Sequence, residues 1–141
     1  VKAAKDKREG DGASPLGVWR LKWVYYRPDR LARPRTALPT VPLSPEDGWC
    51  DAVEHPLYNQ PVSLPFPASH ERLWREDHAY DLIVVLNHND GTPKRGLGSA
   101  IFWHLAQPDW RPTEGCIAVT QNTLEIVLAR AVMGDQVEIC S

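Results

Sequence analysis

The sequence contains no Cys-x-x-Cys pair, a single methionine, and no apolar run approaching the roughly 18 residues needed to cross a bilayer. Its three cysteines, Cys50, Cys116 and Cys140, are too few and too scattered for a structural zinc site. An odd count leaves two arrangements open. Cys50 pairs with Cys140 in an oxidising compartment, or all three remain thiols. A Cys50/His55 metal pair has no complementary partner in the sequence, so no metal is expected. Strong net charge is also missing: the formal value is -2, which excludes a polyanion binder by bulk charge. The one methionine is Met133 and the chain begins at Val1, so it reads as processed or cut from a longer protein, with an upstream strand expected.

What is present is a globular balance, 43% hydrophobic and 24% charged over 141 residues, which suits one domain. Charge is uneven. Residues 1–35 carry ten Lys/Arg against four Asp/Glu, whereas the remainder carries six against fourteen. Residues 1–13 end in Gly10-Asp11-Gly12 and are expected to form a basic, mobile arm or an edge turn, either a solvated tail or a contact for polyanionic envelope polymer or nucleic acid. A single domain is expected over 14–141.

Nine of the thirteen prolines fall between Pro28 and Pro67. They forbid long helices and central strands there, so 27–67 reads as an excursion. It is longer than an ordinary loop, and its apolar residues (Leu31, Leu38, Val41, Trp49, Tyr58, Phe66) require it to pack on the body. Trp49-Cys50-Asp51 is a candidate border of the active site.

Around the excursion the pattern is mostly β. Leu21, Trp23 and Tyr25 alternate with Arg20, Lys22 and Val24. Tyr80–Asn87 is an apolar run that reads as a buried strand. Asn87-His88-Asn89-Asp90 either turns the chain or binds polar groups. In 99–105 the two-residue period puts Ala100, Phe102 and His104 on one face, and Ser99, Ile101, Trp103 and Leu105 on the other. Cys116–Val119 is a short strand. A helix follows, capped by Thr120 or Asn122, with Leu124, Val127, Leu128, Ala131 and Val132 as its apolar face and Gly134 as its stop. Gln136–Cys140 closes the chain as a strand.

The chemistry-bearing pair is His104 at a strand end and Cys116 twelve residues later. A thiol with an ordinary pKa of about 8.5 is mostly protonated at neutral pH. An imidazole beside it can take that proton, and the N–H groups of Gly115 and Cys116 can face a developing oxyanion. By spacing alone, a small core cysteine is the competing reading.

Thr113-Glu114-Gly115-Cys116-Ile117-Ala118 resembles the Ser/Thr-His-Gly-Cys signature of the L,D-transpeptidase (YkuD-type) catalytic domain. Gly98–His104 is similar to that family's upstream histidine strand, and Ala13–Gly17 is similar to its Thr-Pro-x-Gly turn. The resemblance implies a mainly β, β-rich α+β fold: a mixed β-sandwich with one prominent late helix. It implies Cys116 as nucleophile, His104 as base, and the Leu105 carbonyl as the group orienting the imidazole. It implies action on peptidoglycan tetrapeptide stems, with D-alanine released and the acyl group passed to an amine acceptor: a second stem, a D-amino acid or a protein. No cofactor, metal or nucleic acid is implied. Localisation would be the bacterial cell envelope, in the periplasm, and carbapenems would acylate the enzyme. Glu114 replaces the family's histidine and is expected to face the acceptor amine; Ala118 replaces the Arg or Asn that usually follows. Thr113, Trp103 and Ser99 complete the expected substrate contacts. A hydrolase on the same site and a non-catalytic peptidoglycan-binding domain are the alternatives.

Overall fold

The computed structural model describes all 141 residues, Val1–Ser141. Its chain order is β1 (Lys2–Ala3), a 3-10 turn (Ala4–Asp6), β2 (Pro15–Tyr26), β3 (Thr40–Pro42), β4 (Asp47–Cys50), β5 (Pro61–Ser63), β6 (His70–Arg72), β7 (Leu82–Leu86), β8 (Phe102–Leu105), β9 (Ile117–Val119), α1 (Gln121–Arg130) and β10 (Gln136–Ile139). The fold is mainly β, with two sheets and one α-helix. No helix is long and apolar enough to cross a membrane.

The larger sheet runs β1-β2-β7-β8-β9, with β3 and β10 also paired to β2. β2 can serve so many partners because it is twelve residues long. Gly17–Arg20 pairs with β10, and Leu21–Tyr26 pairs with β7. β8 and β9 run parallel, with His104 opposite Ala118 and Trp103 opposite Ile117. The smaller sheet is β5-β4-β6.

Two cores follow from the alternation of β7, whose five residues are all buried. Leu82, Val84 and Leu86 face one way and meet Leu124 and Leu128 of α1, together with Ile101 and Leu105. Ile83 and Val85 face the other way and meet Trp49, Leu73, Tyr80 and Phe102. The large sheet is thus sandwiched between the helix and the small sheet. Each such fully buried Leu, Val or Ile side chain contributes about 1.5–3 kcal/mol relative to exposure. The expected split of 99–105 is visible here, since Phe102 belongs to the second core and Ile101, Trp103 and Leu105 to the first.

Several expectations are corrected. Residues 1–13 are not a free arm. β1 pairs with β2, and Lys7 is 2% exposed, with its ammonium 2.6 Å from Asp11 and 2.7 Å from the Arg8 carbonyl. Composition alone implies solvation because these residues are charged, but Lys7 is buried and its charge is met by Asp11. The proline-rich stretch 27–67 supplies β3, β4 and β5, so it builds most of the second sheet. The helix stops at Arg130, before Gly134, because the Ala131 backbone is already extended; Thr120 is its cap, accepting from the Thr123 N–H. No disulfide joins Cys50 to Cys140: the first is buried, the second exposed, and both are free.

Candidate active site

Cys116 sits in the turn leading into β9, which runs beside β8. Its thiol donates to the Ala100 carbonyl at 3.1 Å and its sulfur accepts from the Phe102 N–H at 3.4 Å. Ala100 holds φ +53°, which turns the backbone just ahead of β8. His104 lies two residues beyond Phe102 on the same face of β8. Cys116 and His104 line one cleft of about 410 Å³. No direct hydrogen bond joins the resting thiol to the imidazole; its donor is spent on Ala100.

The histidine is oriented by its own strand. Nδ1 lies 2.9 Å from the Leu105 carbonyl oxygen. A carbonyl only accepts, so Nδ1 carries the proton and Nε2 keeps its lone pair. The Tyr80 ring packs edge-on at 5.2 Å between centroids and limits rotation of the imidazole. Burial lowers the His104 pKa below its ordinary value, and the Arg75 cation pushes the same way. The ring is therefore neutral near pH 7, the state in which it can accept a proton.

Burial pushes the Cys116 pKa up to about 12, and the Glu71 carboxylate reinforces the rise. The resting pair is thus thiol and neutral imidazole, and not thiolate and imidazolium. A nucleophilic role for this thiol would require deprotonation to accompany attack.

The loop before Cys116 is shaped around glycine. Gly115 has φ +100°, and a Cβ there would stand 2.7 Å from the Ala13 carbonyl oxygen. The Cys116 carbonyl accepts from Thr113 Oγ1 at 2.7 Å and from Ser14 Oγ at 3.4 Å. The N–H groups of Gly115 and Cys116 donate to no backbone carbonyl, and of the two residues Cys116 lines the cleft.

The cleft also takes in Ser99, Thr113 and Glu114 among the residues expected from sequence. The Ser99 and Thr113 hydroxyls are engaged as donors, to Glu9 and to the Cys116 carbonyl. Glu114 is exposed and forms no ion pair. Trp103 is a correction: it does not line the cleft, because the strand period turns it to the opposite face, where it packs on the first core. Of Trp49-Cys50-Asp51 only Asp51 reaches the cleft. Asn87–Asp90 does not reach it; Asn87 accepts from the Arg20 N–H and Asn89 closes its own turn.

Sequence reasoning missed Glu9, Glu71, Arg75 and Tyr80. Glu71 accepts from the Tyr80 hydroxyl, and burial raises the pKa of both groups. The Arg75 guanidinium lies 5.0 Å from the centre of the Tyr80 ring. No local motif marks these four; Glu71 and Tyr80 meet across tertiary packing, and Glu9 is held by Gly96, Tyr58 and Ser99.

A model of the YkuD family, described as the L,D-transpeptidase catalytic domain, matches residues 2–139. No curated protein and no solved structure matches the chain. The match runs through β1, the Cys116 turn and β10, so that fold and site fall inside one unit: the chain belongs to the YkuD family of L,D-transpeptidase catalytic domains, which act on peptidoglycan.

Proposed function

We propose that the chain is a cysteine acyltransferase that forms a thioester at Cys116 from a peptidoglycan tetrapeptide stem and passes it to an amine. The observation that carries this reading is the fixed tautomer of His104: Nδ1–H is held by Leu105 and Nε2 is open in the same cleft as the thiol.

In the first half-reaction the Cys116 proton moves to His104 Nε2 as sulfur attacks the carbonyl of the L,D bond after the diamino acid. The Gly115 and Cys116 N–H groups hold the oxyanion, and the Leu105 carbonyl steadies the imidazolium. Collapse breaks the C–N bond, and the departing D-alanine nitrogen takes the proton back from Nε2. In the second, an acceptor amine attacks the thioester and gives its N–H proton to Nε2. The C–S bond then breaks, and the sulfur recovers that proton. Leaving the resting thiol neutral protects it until a substrate carbonyl arrives. Glu114, exposed at the cleft mouth, faces the arriving amine.

Envelope localisation in the periplasm follows from this substrate, as does acylation by carbapenems. The sulfur's hydrogen bond to Ala100 instead of His104 favours a second reading, a peptidoglycan-binding domain without turnover. Incubation with a tetrapeptide muropeptide and an isotope-labelled D-amino acid tests both. Release of D-alanine with label incorporated supports acyl transfer. Release without incorporation indicates a hydrolase, and binding without release indicates the non-catalytic domain.

A further inference from the structure

The amino-terminal segment, whose composition suggests a loose arm, forms part of the cleft wall through Glu9 and Gly10. The Glu9 N–H donates to the Gly96 carbonyl at 2.7 Å, which fixes its backbone. Two hydroxyls then fix its carboxylate, Tyr58 Oη at 2.5 Å and Ser99 Oγ at 2.8 Å. Tyr58 is itself oriented by the Gly98 N–H at 3.1 Å. Both hydroxyls donate to the same oxygen, Oε2. Oε1 has no partner in the protein and is not sealed from solvent. No lysine or arginine pairs with Glu9; the nearby Lys7 is committed to Asp11.

Glu9 is also close to the reacting sulfur in connectivity. Ser99 precedes Ala100, whose carbonyl receives the Cys116 thiol at 3.1 Å. A carboxylate clamped on one oxygen, open on the other and lacking a counter-charge favours a cationic partner, and charge-assisted N–H···O contacts are among the strongest polar ones. Asp51 and Glu71 line the same cleft and raise its affinity for positive charge. The cations present, Arg75 and Arg111, are already paired with Asp77 and Asp109.

We propose that Glu9 is a specificity-determining residue that receives the ammonium group of the acceptor through Oε1 and so directs the thioester to a primary amine over water. This deepens the acyl-transfer reading and rests on it. The bound ammonium releases one proton to solvent before attack. A second proton passes to His104 Nε2 as the new C–N bond forms and the C–S bond breaks. Glu9 itself is neither consumed nor alkylated.

The test follows the acyl-enzyme of the full chain formed from a tetrapeptide donor. Its partition between transfer to D-methionine and hydrolysis is measured against D-methionine concentration. Glu9→Gln is expected to raise the concentration for half-transfer at least tenfold, read as the ratio of transfer to hydrolysis from the same acyl-enzyme. An unchanged partition overturns the proposal. Because failure to acylate would strike the acyl-transfer reading instead, a second measurement needs no turnover and no variant. The Glu9 carboxyl ¹³C resonance of the wild-type chain is followed as D-methioninamide, a cation without a carboxylate, is added. Saturable movement, absent with N-acetyl-D-methioninamide, supports the assignment; a resonance that stays still overturns it.

Discussion

The Cys116 sulfur is hydrogen-bonded to the Ala100 carbonyl at 3.1 Å, and His104, four residues further along the chain, keeps its Nε2 lone pair because Nδ1 is held by the Leu105 carbonyl. The thiol is thus held in a protonated form by backbone, in a pocket that raises its pKa to about 12. In the proposed reaction, activation is left to the moment of substrate binding.

This arrangement predicts a sluggish thiol. At pH 7–9 the raised pKa keeps Cys116 almost wholly protonated, so iodoacetamide should modify it at least tenfold more slowly than exposed Cys140. Peptide mapping of the alkylated chain across pH 7–9 checks this. Modification of Cys116 at the rate of Cys140 would show a thiolate at rest.

As the proposed base, His104 should set the acid limb of acylation. Its pKa lies below the ordinary histidine value of about 6.5, chiefly through burial. The ring is then a competent base at pH 7 and loses that ability only as pH falls through the lowered value. The acid-side midpoint of kcat/KM for acylation should fall below pH 6.5, and a midpoint at or above 7 contradicts it. His104→Gln should reduce acylation by roughly 10²–10⁴-fold at pH 7.5. By linkage, the same group makes the fold less stable as pH drops below the unfolded value, because the unfolded chain binds the proton first.

Gly115 and Gly134 offer an internal comparison. Both have positive φ, but a Cβ at 115 would meet the Ala13 carbonyl at 2.7 Å, whereas one at 134 meets nothing within 4 Å. Each alanine substitution carries a backbone penalty of about 1–3 kcal/mol in thermal unfolding. Only Gly115→Ala should also abolish acylation, because it displaces the turn that aims the two N–H groups. Equal acylation by the two variants would remove the oxyanion role.

The ion pair between buried Lys7 and half-buried Asp11 ties the amino-terminal segment to the site. Asp11 also accepts from the Ala13 N–H, next to the carbonyl that abuts Gly115. Asp11→Ala leaves a buried ammonium short of its partner and should cost about 3–5 kcal/mol in chemical denaturation. Limited proteolysis should then cut within the first thirteen residues. Unchanged stability would show that the segment contributes nothing to the fold.

Period-two patterning made the strands legible, since Phe102 and Trp103 declare opposite faces of β8 and Leu82 to Leu86 declare a strand buried on both. The Cys116 turn and the His104 strand were readable as a motif. Lys7 and Glu9 were not, because a charged side chain is predicted to be solvated unless its partner is known, and Asp11, Tyr58 and Ser99 become partners only through the tertiary fold. Trp103 is no substrate contact, because its own alternation with His104 turns it away from the cleft. Glu71 and Tyr80 come from β6 and the segment before β7, and nothing local links them.

The most direct measurement is the intact mass of the chain after incubation with a tetrapeptide muropeptide and rapid acid quench. The account predicts an adduct equal to the donor minus D-alanine, mapped to Cys116, absent in Cys116→Ala and strongly reduced in His104→Gln. An adduct on another residue, or D-alanine release that persists in Cys116→Ala, would contradict it.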